Sequence, residues 1–223
     1  MADQSYIAAS LTKACVSIAG KPVLKDVTLT VNKPGIVVVV GPNGAGKSSL
    51  LSAMAGLLPL DRGTRKLTES NGMDAAITRV GYVLQKPVLF RRSIASNIDY
   101  AMDAAGIAPA LWAERRRDVL RVMNISQNES RSAFHLSQGE RQRLAVARVL
   151  AMSPGMLMLD EASNSLDKTT VSLLESHVRN LADQGIPVIW VTHSLEQAKR
   201  IADRVISIDD GEIVNDCAAE DFF

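Results

Sequence analysis

Residues 36–48 read Ile-Val-Val-Val-Val-Gly-Pro-Asn-Gly-Ala-Gly-Lys-Ser. Five β-branched residues in a row suit a central strand buried on both faces. The next eight, Gly41, Pro42, Asn43, Gly44, Ala45, Gly46, Lys47 and Ser48, fit the pattern G-x-x-x-x-G-K-[ST]. Average composition produces that pattern by chance about once in a hundred chains of this length. Its position between a buried strand and a helical stretch, Ser48–Leu58, sharpens it. Glycines let the backbone curl so that successive N–H groups face phosphate oxygens, and the helix N-terminus adds partial positive charge. Lys47 is placed to reach the β- and γ-phosphates and Ser48 to hold Mg²⁺, with Ser49 following in the first helical turn. A strand feeding such a loop points to a nucleoside triphosphate as ligand.

The rest of the chain supports an α/β sheet. Met156–Leu159, Pro187–Val191 and Arg204–Ile208 are further buried-strand segments, separated by helical stretches. Before the first of these strands lie Tyr6–Ala9, Ala14–Ile18 and Val23–Val31. The last of them alternates apolar and polar residues like a half-buried antiparallel strand. From Pro87 to Phe134 the chain reads as helices, with Ser93–Met102 and Leu111–Met123 split by Gly106 and Pro109. This is read as an inserted helical subdomain. Val205–Val214 holds an Asp210-Gly211 turn and reads as a hairpin.

Composition narrows the function. The chain has 223 residues, 47% of them apolar, with 25 Lys plus Arg against 24 Asp plus Glu. That is enough apolar surface for a real core, and the near-zero net charge gives no global pull towards nucleic acid or anionic lipid. No nucleic-acid partner is expected. The charge-free stretches are too short for a membrane-spanning helix. The N-terminus has no basic region preceding an apolar run, so no signal peptide is expected. Cys15 and Cys217 lie at opposite ends and read as free thiols in a reducing compartment.

A phosphate loop needs a second carboxylate to organise Mg²⁺. Met156–Asp160 supplies one, with four apolar residues and then Asp160 at the C-terminal end of a strand. Glu161 follows at once and could polarise an attacking water.

Residues 136–140 then read Leu-Ser-Gln-Gly-Glu. This resembles the LSGGQ motif of ABC-type ATPases. Gln85, after the strand Arg79–Leu84, is similar to the family's Q-loop glutamine. Residues 163–167, Ser-Asn-Ser-Leu-Asp, are similar to its D-loop, and His193 to its switch histidine. The resemblance covers roughly Ile7 to Val214. It implies an α/β P-loop NTPase core with a mostly parallel sheet, an N-terminal antiparallel β subdomain and an inserted helical subdomain. The whole chain, 1–223, is expected to be one such domain, with its core in 1–86 and 136–223 and its helical part in 87–135.

The resemblance also implies an activity and a site. It makes the chain a Mg²⁺-dependent ATPase. Glu161, His193 and Gln85 would take catalytic roles, and Ser48, Gln85 and Asp160 would surround Mg²⁺. Ser137 and Gly139, at the start of a helix Gln138–Ala151, would meet ATP held by a second copy, with Asp167 at the same interface. A head-to-tail dimer, most simply a homodimer, would then close on two ATP. Two departures stand out. Gln138 and Glu140 differ from the usual pattern. Ile18 occupies the position where the family usually stacks an aromatic ring on adenine, leaving Tyr6 or apolar packing by Ile18 to substitute.

Among family branches, 51 residues between Gln85 and Ser137 leave no room for a long coiled coil. One phosphate loop and no membrane segment leave a free-standing subunit on the cytoplasmic face of a membrane, powering separate permease subunits, with an extracytoplasmic binding protein as a further partner. The segment Gln85–Asn97 is similar to ATPases of small-oxyanion importers of the tungstate and phosphate type. A minimal exporter or metal-homeostasis ATPase, and a non-transport ATPase acting on a soluble partner, are the alternatives. His135, His177 and the run Arg115–Arg117 are read as structural or solvated.

Overall fold

The computed structural model of the chain describes residues 9–32, 34–67, 79–125 and 128–223. Tyr6 lies outside them. The chain enters through β1 (Ala9–Ile18), which pairs antiparallel with β2 (Lys21–Val31) and, on its other side, with β4 (Arg62–Leu67). Ala14–Ile18 is therefore not a separate strand. It continues from Ala9 through a bulge at Lys13, whose φ is +50° and where the register with β2 shifts. A bulge adds one residue without ending the ladder. The polar pair Thr12-Lys13 at that point breaks the alternation that sequence reading relies on.

The second sheet carries the strand order β5 (Val80–Val83), β6 (Met156–Asp160), β7 (Pro187–Val191), β3 (Gly35–Val40), β8 (Arg204–Asp209), β9 (Glu212–Ala218). The first five run parallel, and β9 returns antiparallel across the Asp210-Gly211 turn. The hairpin extends to Ala218, beyond the Val214 expected from apolar residues alone. Its far end carries an ion pair, Arg204 Nη2 to Asp216 Oδ2 at 2.5 Å.

Residue parity divides the core. Ile36, Val38 and Val40, with Leu157, Leu159, Val188 and Trp190, face one layer. Val37 and Val39, with Met156, Met158, Ile189 and Val191, face the other, beneath the three-stranded sheet and α1 (Lys47–Ala55). Each fully buried large side chain contributes roughly 1.5–3 kcal/mol. α1 stops three residues before the expected Leu58, because Gly56 takes the left-handed conformation at φ +82° and closes the last turn.

The helical segment holds α2 (Ile94–Ala104) and α3 (Trp112–Val122). Ser93 caps α2 by accepting from the Ser96 N–H. Both helices pack on α4 (Gln138–Ala151), which also leans on β5. Ile94, Ile98, Met102, Leu120 and Met123 meet Leu144 and Ala147 in the same cluster as the outer face of β3. The helical part is thereby continuous with the main core. Within the arginine run, Arg116 is committed internally, to Asp99 at 2.5 Å and Glu129 at 2.6 Å.

The remaining helices are α5 (Lys168–Asp183), α6 (Leu195–Ile201) and the short α7 (Ala219–Phe222). Asp203, just before β8, accepts from the Ile36 N–H at 2.7 Å and pairs with Arg179 of α5 at 2.9 Å. It thus ties the start of the central strand to a helix. Both cysteines are free thiols. No helix among the described residues is long and apolar enough to cross a membrane.

Candidate functional site

Parallel strands bring their C-terminal ends to one edge of the sheet, where ligands of open α/β sheets bind. Here β3 delivers the loop 41–48, β6 delivers Asp160 and Glu161, β7 delivers His193 and β5 delivers Gln85. They surround a cleft of about 490 Å³ lined by Asn43, Gly44, Gly46, Lys47, Ser48, Ser49, Gln85, Glu161, His193 and Val23. A volume of that size suits a small-molecule ligand.

The loop's shape depends on close backbone approach at two glycines. A Cβ on Gly41 would stand 2.1 Å from the Ile208 carbonyl oxygen, and one on Gly46 2.7 Å from that of Val23. Both also have positive φ, at +154° and +103°. The Gly211 N–H donates to the Ala45 carbonyl, so the β8–β9 turn braces the loop from behind. Lys47 is buried, and its Nζ donates to the carbonyls of Gly41 and Pro42 at 2.8 Å each. The loop thus holds a cation and a helix N-terminus together in the cleft.

Ser48 Oγ donates to Asp160 Oδ1 at 3.0 Å. Asp160 is 3% exposed, and burial pushes its carboxyl above the ordinary range despite the Ser48 hydrogen bond. Two hard oxygen donors side by side next to a phosphate loop match what Mg²⁺ takes from protein, since it fills its other positions with phosphate and water. The residues present fit that ion.

Glu161 has φ +49°, uncommon for a non-glycine residue, and is held in place by its neighbours. Its N–H donates to the Val191 carbonyl of β7. Its Oε2 accepts from Gln85 Nε2 at 3.0 Å and from Asn164 Nδ2 at 2.5 Å. His193 Nδ1 stands 3.9 Å from the same oxygen. A carboxylate with two amide donors on one oxygen and an imidazole beside it can accept a proton from a water at the cleft. Asn164 was not singled out by sequence reading, because its role depends on the turn after β6. Val23 was missed as well; it reaches the cleft because β2 passes over the loop.

Ile18, the expected adenine contact, is 46% exposed at the end of β1 and does not line the cleft. Ser137, Gly139 and Asp167 form a separate group. Ser137 caps α4 and Asp167 caps α5, the latter accepting from the Thr170 N–H and Oγ1. Those bonds hold the Asp167 carboxyl below the ordinary range. A Cβ on Gly139 would stand 2.9 Å from the Ser165 carbonyl, so the start of α4 packs on the 163–167 turn. None of these three residues lines the cleft.

A phosphate loop facing an Asp-Glu pair at the edge of a parallel sheet defines a P-loop nucleotide-binding domain. Comparison with known proteins gives the family. The ABC transporter family model matches residues 24–164. An Fe(3+) ions import ATP-binding protein, FbpC, of Streptomyces coelicolor is 39% identical over 208 residues, 92% of this chain and 60% of that protein. A putative ABC transporter ATP-binding protein of Pyrococcus furiosus is 34% identical, over 87% of this chain and 76% of its own length. Phosphate import ATP-binding protein PstB 2 of Natronomonas pharaonis is 34% identical, over 87% and 74%. Among solved structures, a dimeric post-hydrolysis state of an ATP-binding cassette bound to ADP and Pi shares the fold. Its TM-score is 0.82 at 22% identity, covering 95% of this chain and 98% of that one. The chain belongs to the ABC transporter family, as an ATP-binding domain.

Proposed function

We propose that this chain is the ATPase subunit of a membrane importer for a small inorganic ion, with an oxyanion as the cargo class. The observation that carries the ATPase half is the cleft itself. The Gly41–Ser48 loop and Glu161 line a space of about 490 Å³, and Asp160 lies directly against Ser48 of that loop at 3.0 Å. The cargo class rests on relatives named for phosphate, sulfate/thiosulfate and anion import, and on the similarity of Gln85–Asn97 to oxyanion importers. A relative named for iron import widens the class to inorganic ions in general.

In this reading the chain acts as one domain over 1–223, with 87–135 as its helical part. ATP lies with its phosphates in the loop, and Lys47 exchanges its carbonyl contacts for phosphate oxygens. Ser48 and Asp160 would hold Mg²⁺, with Gln85 as a further candidate ligand, and that ion would supply charge neutralisation to the phosphates. Glu161 accepts the proton of the attacking water, while Gln85 and Asn164 keep its carboxylate aimed. His193 donates towards the γ-phosphate beside it. Ser137, Gly139 and Asp167 lie outside this cleft, so they serve a second copy's nucleotide in a head-to-tail dimer. The adenine lies towards Val23, with Ile18 at the end of the adjoining strand β1. Separate permease subunits dock on the helical part, which places the assembly on the cytoplasmic face of a membrane; an extracytoplasmic binding protein completes an importer.

The test is the Glu161→Gln variant, tagged and recovered with MgATP from solubilised membranes of its own cell. Turnover should fall about 10²–10⁴-fold with ATP binding retained, and a polytopic membrane protein should co-purify. Full turnover would overturn the role of Glu161. Recovery of soluble partners alone would overturn the transport reading in favour of a non-transport ATPase.

A further inference from the structure

The first turn of α4 carries a carboxylate as well as its helical dipole. Glu140 Oε2 accepts from the Ser137 backbone N–H at 2.8 Å, and Ser137 Oγ accepts from the Glu140 N–H at 3.3 Å, a complete capping box. Glu140 Oε1 meets Arg131 Nη1 at 2.5 Å, and Arg131 Nη2 donates to the His135 carbonyl at 3.1 Å. The backbone of Arg131 is itself anchored, since its carbonyl accepts from the Ile94 N–H at the start of α2. The guanidinium therefore approaches Glu140 from a fixed point.

These contacts raise an electrostatic question. A helix N-terminus favours an incoming phosphate. A bare carboxylate in the same turn opposes it. The capping box does not need the charge, because glutamine caps in the same way. The ion pair adds little to stability either, since its two side chains are 37% and 21% exposed. What the pair changes is the field at the end of the helix.

We infer that Arg131 is a positioning residue for nucleotide capture: by neutralising Glu140 it leaves the N-terminus of α4 attractive to the triphosphate held by a second copy of this chain. This rests on the proposed two-copy site. Without Arg131, Glu140 faces that triphosphate with its charge uncompensated. The same end of α4 then repels the ligand it should help to close upon.

The test uses the full chain carrying Glu161→Gln, so that hydrolysis does not drain the closed state, and follows mass by light scattering against MgATP concentration. Adding Arg131→Ala should raise the ATP concentration for half-maximal dimerisation roughly tenfold at low salt. The deficit should shrink as salt is raised. Adding Glu140→Gln to that variant should restore dimerisation to within about twofold of the starting chain, which a general loss of structure would not allow. The melting temperature should move by no more than about 4 °C, the most that a partly exposed pair supports. Unchanged dimerisation in Arg131→Ala overturns the inference. So does a deficit that Glu140→Gln fails to rescue, which would mean that Arg131 contacts phosphate itself or holds the fold. A Glu161→Gln chain that stays monomeric at saturating MgATP overturns the two-copy reading and the inference with it.

Discussion

Replacing Asp160 with Asn should make the ligand-free protein more stable and the nucleotide-bound protein less so. Asp160 is 3% exposed at the end of β6, and burial lifts its carboxyl above the ordinary value. For an acid, a folded-state value above the unfolded one means that the folded chain holds the proton more tightly. The associated stability is present at low pH and is lost as pH rises through the folded value. Above that folded value the ionised group lies on the unfavourable side. Asparagine keeps an oxygen for the Ser48 hydroxyl, now 3.0 Å from Oδ1, and removes the buried charge. The gain should be about 1–2 kcal/mol, or about 2–8 °C in melting temperature for a chain of this size. Saturation with MgATP at about 100 times Kd should add about 2.7 kcal/mol to the wild type. With one of the two oxygen donors for the ion weakened, the variant should lose most of that increment, so the order of the two melting curves inverts. Differential scanning calorimetry at neutral pH, with and without MgATP, reads both effects. A ligand-free variant that melts below the wild type would show that the carboxylate is net stabilising where it sits. An undiminished MgATP increment would refute its place beside the metal.

Two further outcomes concern stability alone. Asp203→Ala removes the acceptor of the Ile36 N–H and the partner of Arg179; it should cost about 1.5–3 kcal/mol in urea unfolding, and a loss below about 0.5 kcal/mol would refute the anchoring role. His177 on α5 is held below the ordinary imidazole value by burial. The unfolded chain thus binds the proton first, and stability should fall as pH drops below about 6.5. His177→Gln should flatten that part of the pH–stability curve, and an unchanged slope between pH 6.5 and 5 would count against it.

The legible parts of the molecule are those whose physics is local. The Gly41–Ser48 loop could be read because phosphate binding and tight backbone packing both demand glycine, and Gly41 and Gly46 do meet carbonyls at under 3 Å from a notional Cβ. The strands β3, β6 and β7 could be read because burial on both faces leaves uninterrupted apolar runs. β4 could not: Arg62–Leu67 is mostly exposed at the edge of its sheet, and its residues carry no alternation. What makes it a strand is the partner β1, from distant sequence. The same holds for Asn164, whose amide matters only once the turn after β6 places it 2.5 Å from Glu161. Gln85 was expected near the metal, and it donates to Glu161. Sequence order identifies such groups, whereas side-chain pairing between them follows from tertiary geometry.

The strand order has a consequence for how the chain is made. β3 ends at Val40, yet its two neighbours in the sheet are β7, beginning at Pro187, and β8, beginning at Arg204. A nascent chain therefore carries a run of five β-branched residues for about 150 residues of synthesis before either ladder can form, some 8–30 s at ordinary elongation rates. Throughout that interval the phosphate loop has no sheet to stand on. A ribosome-bound fragment ending before residue 187 should bind no nucleotide, and its unpaired strand is the segment most exposed to intermolecular pairing.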